Sequence, residues 1–104
     1  MNPRNARIDA YVSVATRTAF DDLARRSGRT RAHILESAVR EYLDAGCPLL
    51  DSPLDAGNER RVRIDAYVLP ELRTSIDQIV DASGRSLSNI VESAVRQYQR
   101  HIGR

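Results

Sequence analysis

The sequence predicts a mainly α-helical domain with a short β-ribbon, built from two tandem copies of one strand–helix–helix unit. Three observations predict this class. The segment RIDAYV occurs at residues 7–12 and again at residues 63–68. In each copy, an alternating polar and apolar segment is followed by two segments with apolar residues at helical spacing. A stretch that contains prolines and glycines but has no helical period separates the copies.

The two copies extend well beyond these six residues. Residues 7–42 align with residues 63–98 without a gap, and 19 of the 36 aligned positions are identical. A gapless match of this quality indicates an internal duplication. Because a unit of about 40 residues is too small to hold a core alone, we expect the two copies to share one core.

Each repeat begins with a predicted strand, at residues 7–12 and 63–68. Polar residues alternate with apolar ones along both segments, which is the period-two pattern of a half-buried strand. The apolar positions are Ile8, Ala10 and Val12 in the first copy and Ile64, Ala66 and Val68 in the second. An isolated strand leaves its backbone groups without partners, so we expect each copy to pair with the other.

Two helices follow each strand. Their predicted bounds are 14–26 and 31–44 in the first repeat and 70–82 and 87–101 in the second. The residues expected on the buried faces are Thr16, Phe20, Leu23, Ala24, Leu72, Ile76, Ile79 and Val80 in the first helices, and Ile34, Leu35, Ala38, Val39, Tyr42, Leu43, Ile90, Val91, Ala94, Val95 and Tyr98 in the second helices. Their spacing is that of amphipathic helices that each bury one face.

Residues that begin and end helices support these bounds. Ser13, Thr30 and Ser86 are suitable N-cap residues. Pro70 fits the first position of a helix, whereas Leu69 takes the place of Ser13 and has no capping oxygen. The predicted ends of the first helices are Gly28 and Gly84, in the left-handed conformation.

The chain is thus predicted to form a single pseudo-symmetric domain over residues 1–104. Repeat 1 spans residues 7–43, a linker spans residues 45–61, and repeat 2 spans residues 63–99. All 16 basic residues are arginine, whose charged fork suits phosphates and guanine edges. They are concentrated in the two repeats, while residues 47–59 hold three acids and no base. The duplication is best explained as a dimer contained in one chain.

Other classes of protein lack support in the sequence. No apolar run approaches the length of a membrane span, and the N-terminal residues MNPRNAR lack the apolar core of a signal peptide. The single Cys47 cannot form an intramolecular disulfide, which suits the cytoplasm. The histidines, Cys47 and the acids show no metal-ligand or catalytic spacing. We therefore expect no cofactor, no metal site and no enzymatic activity.

Two segments resemble the ribbon-helix-helix DNA-binding proteins, the MetJ/Arc/CopG superfamily. They read GRTRAHILESAVREY and GRSLSNIVESAVRQY, and each follows an alternating strand and a helix. The resemblance covers residues 7–43 and 63–99. It implies that the two strands pair antiparallel into a ribbon backed by four helices, here within one chain as an intramolecular pseudo-dimer. The tandem layout resembles the TraY type of arrangement.

The resemblance implies that the ribbon enters the major groove of double-stranded DNA, whose width admits a two-stranded β-element. The base-contacting residues would be those of its polar face, Arg7, Asp9, Tyr11, Arg63, Asp65 and Tyr67. Arginine recognises guanine edges, and aspartate accepts a hydrogen bond from cytosine. Because the two triplets are identical, we expect two similar half-sites related by approximate two-fold symmetry. The alternative is that these residues are only the solvated face of the ribbon.

An antiparallel ribbon is expected to set Asp9 opposite Asp65, which is unfavourable because the charges are alike. Arginine in the free protein, or cytosine donors in a complex, would neutralise the pair. The same register would place each arginine beside the tyrosine of the other strand. This arrangement predicts two cation–π contacts on the ribbon.

Phosphate contacts are predicted at the start of the second helix of each repeat, where backbone amides form an anion site. The residues are Arg29, Thr30, Arg31, Arg85, Ser86 and Leu87. The alternative is that Thr30 and Ser86 only cap helices. Repeat 1 also has arginines at residues 25–26 that repeat 2 lacks, so the two halves are expected to hold DNA unequally.

These features predict a sequence-specific DNA-binding protein of the cytoplasm, associated with the bacterial nucleoid when bound. The expected role is a small transcriptional repressor on a pseudo-palindromic operator. Binding of two or more chains side by side on DNA is one arrangement that stays open. Two other functions stay open. One is an accessory DNA-binding factor of the relaxosome in plasmid transfer. The other is an antitoxin or protein-interaction module, for which the linker residues Pro48 to Asp55 would be the partner segment.

Overall fold

A computed structural model describes residues 5–47 and 60–102 of the chain. The first repeat forms strand β1 (Ala6–Ser13) and helices α1 (Val14–Ser27) and α2 (Arg31–Asp44). The second repeat forms strand β2 (Arg61–Val68) and helices α3 (Pro70–Ser83) and α4 (Leu87–Ile102). β1 and β2 pair as an antiparallel two-stranded sheet. The predicted class, mainly helical with a short β-ribbon, is confirmed.

The elements lie within one or two residues of the predicted bounds, and the start of β2 differs most. β2 begins at Arg61, so the prediction that the linker extends to residue 61 is wrong. The alternation continues back from residue 63, because Val62 is half-buried and Arg61 is exposed. Residues 48–59, which make up most of the predicted linker, lie outside the described residues, as do residues 1–4 and 103–104.

The helix ends follow the predicted capping residues. The side-chain oxygens of Ser13, Thr30 and Ser86 accept hydrogen bonds of 3.0–3.1 Å from the backbone amides three residues later. Caps of this kind stabilise a helix by about 1 kcal/mol each. Helices α1 and α3 end at Gly28 and Gly84, whose φ angles are 68° and 73°. Glycine adopts this left-handed conformation without the steric cost of a Cβ atom.

The core lies between the inner face of the sheet and the four helices, and both repeats contribute to it. Its largest fully buried apolar side chains are Tyr42, Phe20, Ile8, Ile34, Leu35, Ile76, Ile90, Val12, Val39, Val68 and Val91. A two-stranded sheet alone is marginally stable in water. Burial of its inner face against helices from both repeats therefore stabilises the ribbon and holds its outer face toward solvent.

Two buried glutamates of the repeated ESAVR segment join the repeats. Glu92 of α4 accepts hydrogen bonds from the backbone amide and the hydroxyl of Ser13, at 3.2 and 2.8 Å, and from the Thr16 hydroxyl at 2.8 Å. Glu36 of α2 accepts one from the Leu69 backbone amide at 3.1 Å. Leu69 makes no side-chain cap, as predicted. Each repeat therefore supplies a carboxyl group to the point where the strand of the other repeat becomes a helix.

Candidate functional site

The structure brings the six predicted base-contacting residues together on one surface. This surface, called the ribbon face below, consists of the outward side chains of β1 and β2: Arg7, Asp9, Tyr11, Arg63, Asp65 and Tyr67. All six are exposed. Tyr11 and Tyr67 are 51% and 53% exposed, whereas most large hydrophobic side chains of the described residues are buried or half-buried. Period-two alternation over a buried inner face explains why all of them point outward.

The strand register sets like charges opposite each other at the centre of the ribbon face. Asp9 pairs with Asp65, as predicted. Arg63 Nε lies 2.6 Å from an Asp9 oxygen, and Arg7 Nη2 lies 3.1 Å from an Asp65 oxygen. Each arginine thus reaches across the ribbon to the acid of the other strand. In the free protein the central acids are neutralised by arginine, which is one of the two alternatives predicted.

The predicted cation–π contacts on the ribbon are wrong. Arg7 is paired with Tyr67 and Tyr11 with Arg63 in the register, but the guanidinium groups bind the carboxylates instead. Both guanidinium groups form charge-assisted hydrogen bonds with carboxylates of the other strand, at 2.6 and 3.1 Å. Within the described residues, the arginine that lies over an aromatic ring is Arg85.

Three further residues position or extend the ribbon face and were missed from the sequence. Arg61 continues the outward row of β2 and is exposed. Ser88 of α4 accepts a hydrogen bond from the Tyr11 backbone amide at 3.0 Å, and Arg73 of α3 donates one to the Arg7 carbonyl at 3.2 Å. These two contacts hold the outer edge of β1 against helices of repeat 2. The sequence signal that could have identified Arg61 is the alternation itself, which continues back from residues 67, 65 and 63 to residue 61.

The two predicted phosphate-binding regions differ in the structure. In repeat 1, Arg29, Thr30 and Arg31 are all exposed at the start of α2. The Arg31 guanidinium lies 3.1 Å from Asp21, and Arg29 Nη1 lies 2.7 Å from His33 Nε2. This region therefore presents two arginines beside a helix N-terminus, an arrangement suited to an anion.

The corresponding region of repeat 2 is arranged otherwise, because the side chain of Arg85 is directed into the protein. It donates hydrogen bonds to the Asn89 side chain at 2.7 Å, to the Tyr42 hydroxyl at 2.7 Å and to the Cys47 carbonyl at 3.3 Å. In the free protein Arg85 is therefore held by partners within the chain, and its contact with phosphate stays a prediction. Ser86 is exposed, and Leu87 is half-buried and packs against the core.

Cys47 lies beside Arg85 at the end of the first described segment. Burial raises the pKa of its thiol above the ordinary value, and the positive charge of Arg85 offsets part of the rise. Among residues 5–47 and 60–102, no group of three or more histidine, cysteine or acidic side chains could hold a metal ion. Over the same residues, no helix is long and apolar enough to cross a membrane.

Comparison of the chain with protein-family models, with curated proteins and with solved structures gives no match.

Proposed function

We propose that this chain is a ribbon-helix-helix protein that binds double-stranded DNA sequence-specifically and acts as a small transcriptional repressor. The observation that carries the proposal is the ribbon face. Six side chains able to contact base edges stand outward on a two-stranded antiparallel ribbon, above a fully apolar inner face. The major groove, about 12 Å wide, admits an element of this size.

The chemistry of the ribbon face favours base recognition over general attraction to phosphate. Its arginines, Arg7 and Arg63, are balanced by the two central aspartates, so the face itself has little net charge. Phosphate alone would repel these carboxylates. Cytosine amino groups are donors that suit them, and guanine edges suit the arginines. Net attraction to the backbone would come from arginines outside these pairs, such as Arg61 on β2 and Arg29 at the start of α2.

The tandem repeats support a pseudo-dimer as the DNA-binding unit. The register places equivalent residues of the two repeats opposite each other, with Asp9 facing its own counterpart Asp65 at the centre. The two strands of the ribbon face therefore present the same three side chains in opposite directions. Such a unit fits an inverted repeat of two short half-sites, and its repressor activity would follow from occupying an operator.

In vitro selection from a random duplex library tests the proposal, with the affinity of the selected DNA measured at two salt concentrations. We expect an inverted repeat to be enriched and its affinity to fall steeply as salt increases. A chain carrying Arg7→Ala and Arg63→Ala is the matched control. It should retain duplex DNA but enrich no common sequence, because the phosphate-contacting residues are intact.

Two results would contradict the proposal. If the unaltered chain retains no duplex DNA at either salt concentration, the function lies elsewhere. If it retains DNA but enriches no sequence, the ribbon face does not read bases and sequence-specific repression is excluded.

A further inference from the structure

A groove lies between the end of α1, the start of α2 and the end of α4, away from the ribbon face. Its volume is about 590 Å³, within the range of about 300–1,000 Å³ that is typical of small-molecule sites. Four side chains form its apolar wall: Leu23, Ile34, Tyr98 and Ile102. Ile102 is 51% exposed, so the apolar surface at this end of the groove is open to solvent.

The polar side chains around this groove favour an anion. Arg26, Arg29 and His33 line it, and among residues 5–47 and 60–102 no acidic side chain does. Arg29 Nη1 donates to His33 Nε2 at 2.7 Å, which holds the guanidinium at the rim and leaves its other N–H groups available for a ligand. Arg26 is partly neutralised by Asp22, 3.0 Å away. The positive charge at the rim therefore comes chiefly from Arg29.

The equivalent position in the other half of the molecule is filled by the protein itself. Arg85 corresponds to Arg29 in the repeat alignment, and its guanidinium lies 5.6 Å from the centre of the Tyr42 ring. It also donates to the Tyr42 hydroxyl at 2.7 Å. Tyr42 is fully buried, whereas its counterpart Tyr98 is only half-buried and lines the open groove. The arginine of repeat 2 thus lies over the tyrosine of repeat 1, whereas the tyrosine of repeat 2 stays accessible, with the arginine of repeat 1 at the rim of the groove.

We infer that the open groove is a binding site for an amphiphilic organic anion, with one carboxylate and an aromatic or branched aliphatic body. The carboxylate would bind the Arg29 guanidinium, which forms paired hydrogen bonds with planar anions. The body would cover Tyr98 and Ile102 and remove their apolar surface from water. A nucleic-acid phosphate satisfies the first requirement but has no apolar group for the wall.

A ligand in this groove also affects the proposed function, because Arg29 is one of the residues predicted to contact phosphate. Occupation of the groove engages its guanidinium and lowers the affinity for DNA. This coupling rests on the proposed DNA binding, whereas the binding of the anion itself does not.

Titration of the full chain with 2-naphthoate, followed by proton–nitrogen correlation NMR, tests the inference. We expect saturable shifts in the amides of residues 26–34 and 98–102, and binding at least about tenfold weaker for the neutral 2-naphthylmethanol. The variant R29Q should weaken naphthoate binding by about tenfold, the factor that corresponds to loss of one hydrogen bond to a charged group. Arg60 is exposed and does not line the groove, so R60Q is the matched control and should change binding by less than about twofold.

Three results would overturn the inference. The first is equal affinity for 2-naphthoate and 2-naphthylmethanol. The second is an equal loss of naphthoate affinity in R29Q and R60Q. The third is that the NMR shifts are confined to residues outside 26–34 and 98–102. The mass of the chain in solution, measured by light scattering, could give a fourth result that overturns the inference. If the chain has twice its own mass and I102D restores the single mass, a second copy occupies the groove instead.

Measurement of DNA affinity with and without 2-naphthoate separates this inference from the proposed function. If 2-naphthoate weakens DNA binding by the unaltered chain but not by R29Q, the result supports both the groove assignment and the proposed function. If the NMR shifts are seen and the chain binds no DNA, the groove assignment stands and the proposed function fails.

Discussion

At the scale of single residues, the arginines of the ribbon face have aspartate partners in the free protein, and guanine is the partner proposed for them in DNA. In the free protein they bind aspartates, with Arg63 and Asp9 both more than two-fifths exposed. Exposed ion pairs of this kind contribute about 0–1 kcal/mol. A bidentate contact with guanine discriminates by about 1–3 kcal/mol. In the proposed DNA complex, the aspartates would therefore release the arginines at little cost in free energy.

Replacement of Arg63 by alanine should weaken specific DNA binding by about 1–3 kcal/mol and leave non-specific binding nearly unchanged. Fluorescence anisotropy on a selected duplex and a scrambled duplex measures both quantities. Arg100→Ala is a suitable control, because Arg100 is exposed near the end of α4, far along the helix from Ser88. Uniform weakening on both duplexes would instead indicate that Arg63 contacts phosphate.

The thiol of Cys47 should react slowly with iodoacetamide in the folded protein. Burial raises its pKa, so the reactive thiolate is scarcer at pH 8 than in an exposed cysteine. For the same reason, the contribution of Cys47 to stability falls as the pH rises through the ordinary thiol pKa toward the raised one. Alkylation rates from pH 7 to 10, with and without urea, check this. Equal rates in the folded and unfolded chains would contradict it.

At the scale of elements, the start of each first helix depends on the second helix of the other repeat. Glu92 accepts hydrogen bonds from Ser13 and Thr16, and Glu36 accepts one from Leu69. Both glutamates are buried, and buried donors that lose their acceptor cost about 1–3 kcal/mol each. These contacts join the end of each strand to the second helix of the other repeat.

Glu92→Ala should lower the free energy of unfolding by about 2–4 kcal/mol, because it leaves several buried donors without an acceptor. Glu36→Ala should also be destabilising, by about 1–3 kcal/mol, because it removes the carboxylate that accepts from the Leu69 amide. Urea unfolding followed by circular dichroism measures both. Asp81→Ala is the control, because Asp81 is exposed on α3 and its loss should change stability by less than about 0.5 kcal/mol. Equal effects in all three variants would exclude a role for the buried carboxyl groups.

At the scale of the whole molecule, neither repeat has a complete core. The inner face of the ribbon takes Ile8, Ala10 and Val12 from one repeat and Ile64 and Val68 from the other. All of them belong to one continuous apolar cluster with residues of the four helices. Folding of either half alone would leave this surface in water. The two halves are therefore expected to fold and unfold together.

Thermal unfolding should be a single transition whose midpoint is independent of protein concentration over about a hundredfold range. The reason is that the ribbon pairs strands of one chain, so no association step contributes to stability. Differential scanning calorimetry at several concentrations provides the measurement. A midpoint that rises with concentration would indicate that strands pair between chains, and two separate transitions would indicate that the repeats fold independently.

Much of the fold and part of the site could be predicted from local patterns. Alternation placed the ribbon face, and capping residues such as Ser13 and Gly28 located the helix ends, because these effects act over a few neighbouring residues. Arg85 shows what local patterns could not predict. Its sequence context matches that of Arg29, but its side chain binds Tyr42 and Cys47, which are about forty positions away in the chain. No local pattern carries that information.

The sequence by itself determined the element order, the duplication and the outward row of each strand, since these depend on side-chain periodicity and backbone preference alone. Only the tertiary structure decided which arginines bind Asp9 and Asp65, which carboxyl groups close the helix starts, and which of two equivalent tyrosines stays accessible. These outcomes depend on competition between partners brought together from distant positions. Small differences between the repeats, such as Asn89 in place of His33, then select different partners in a shared fold.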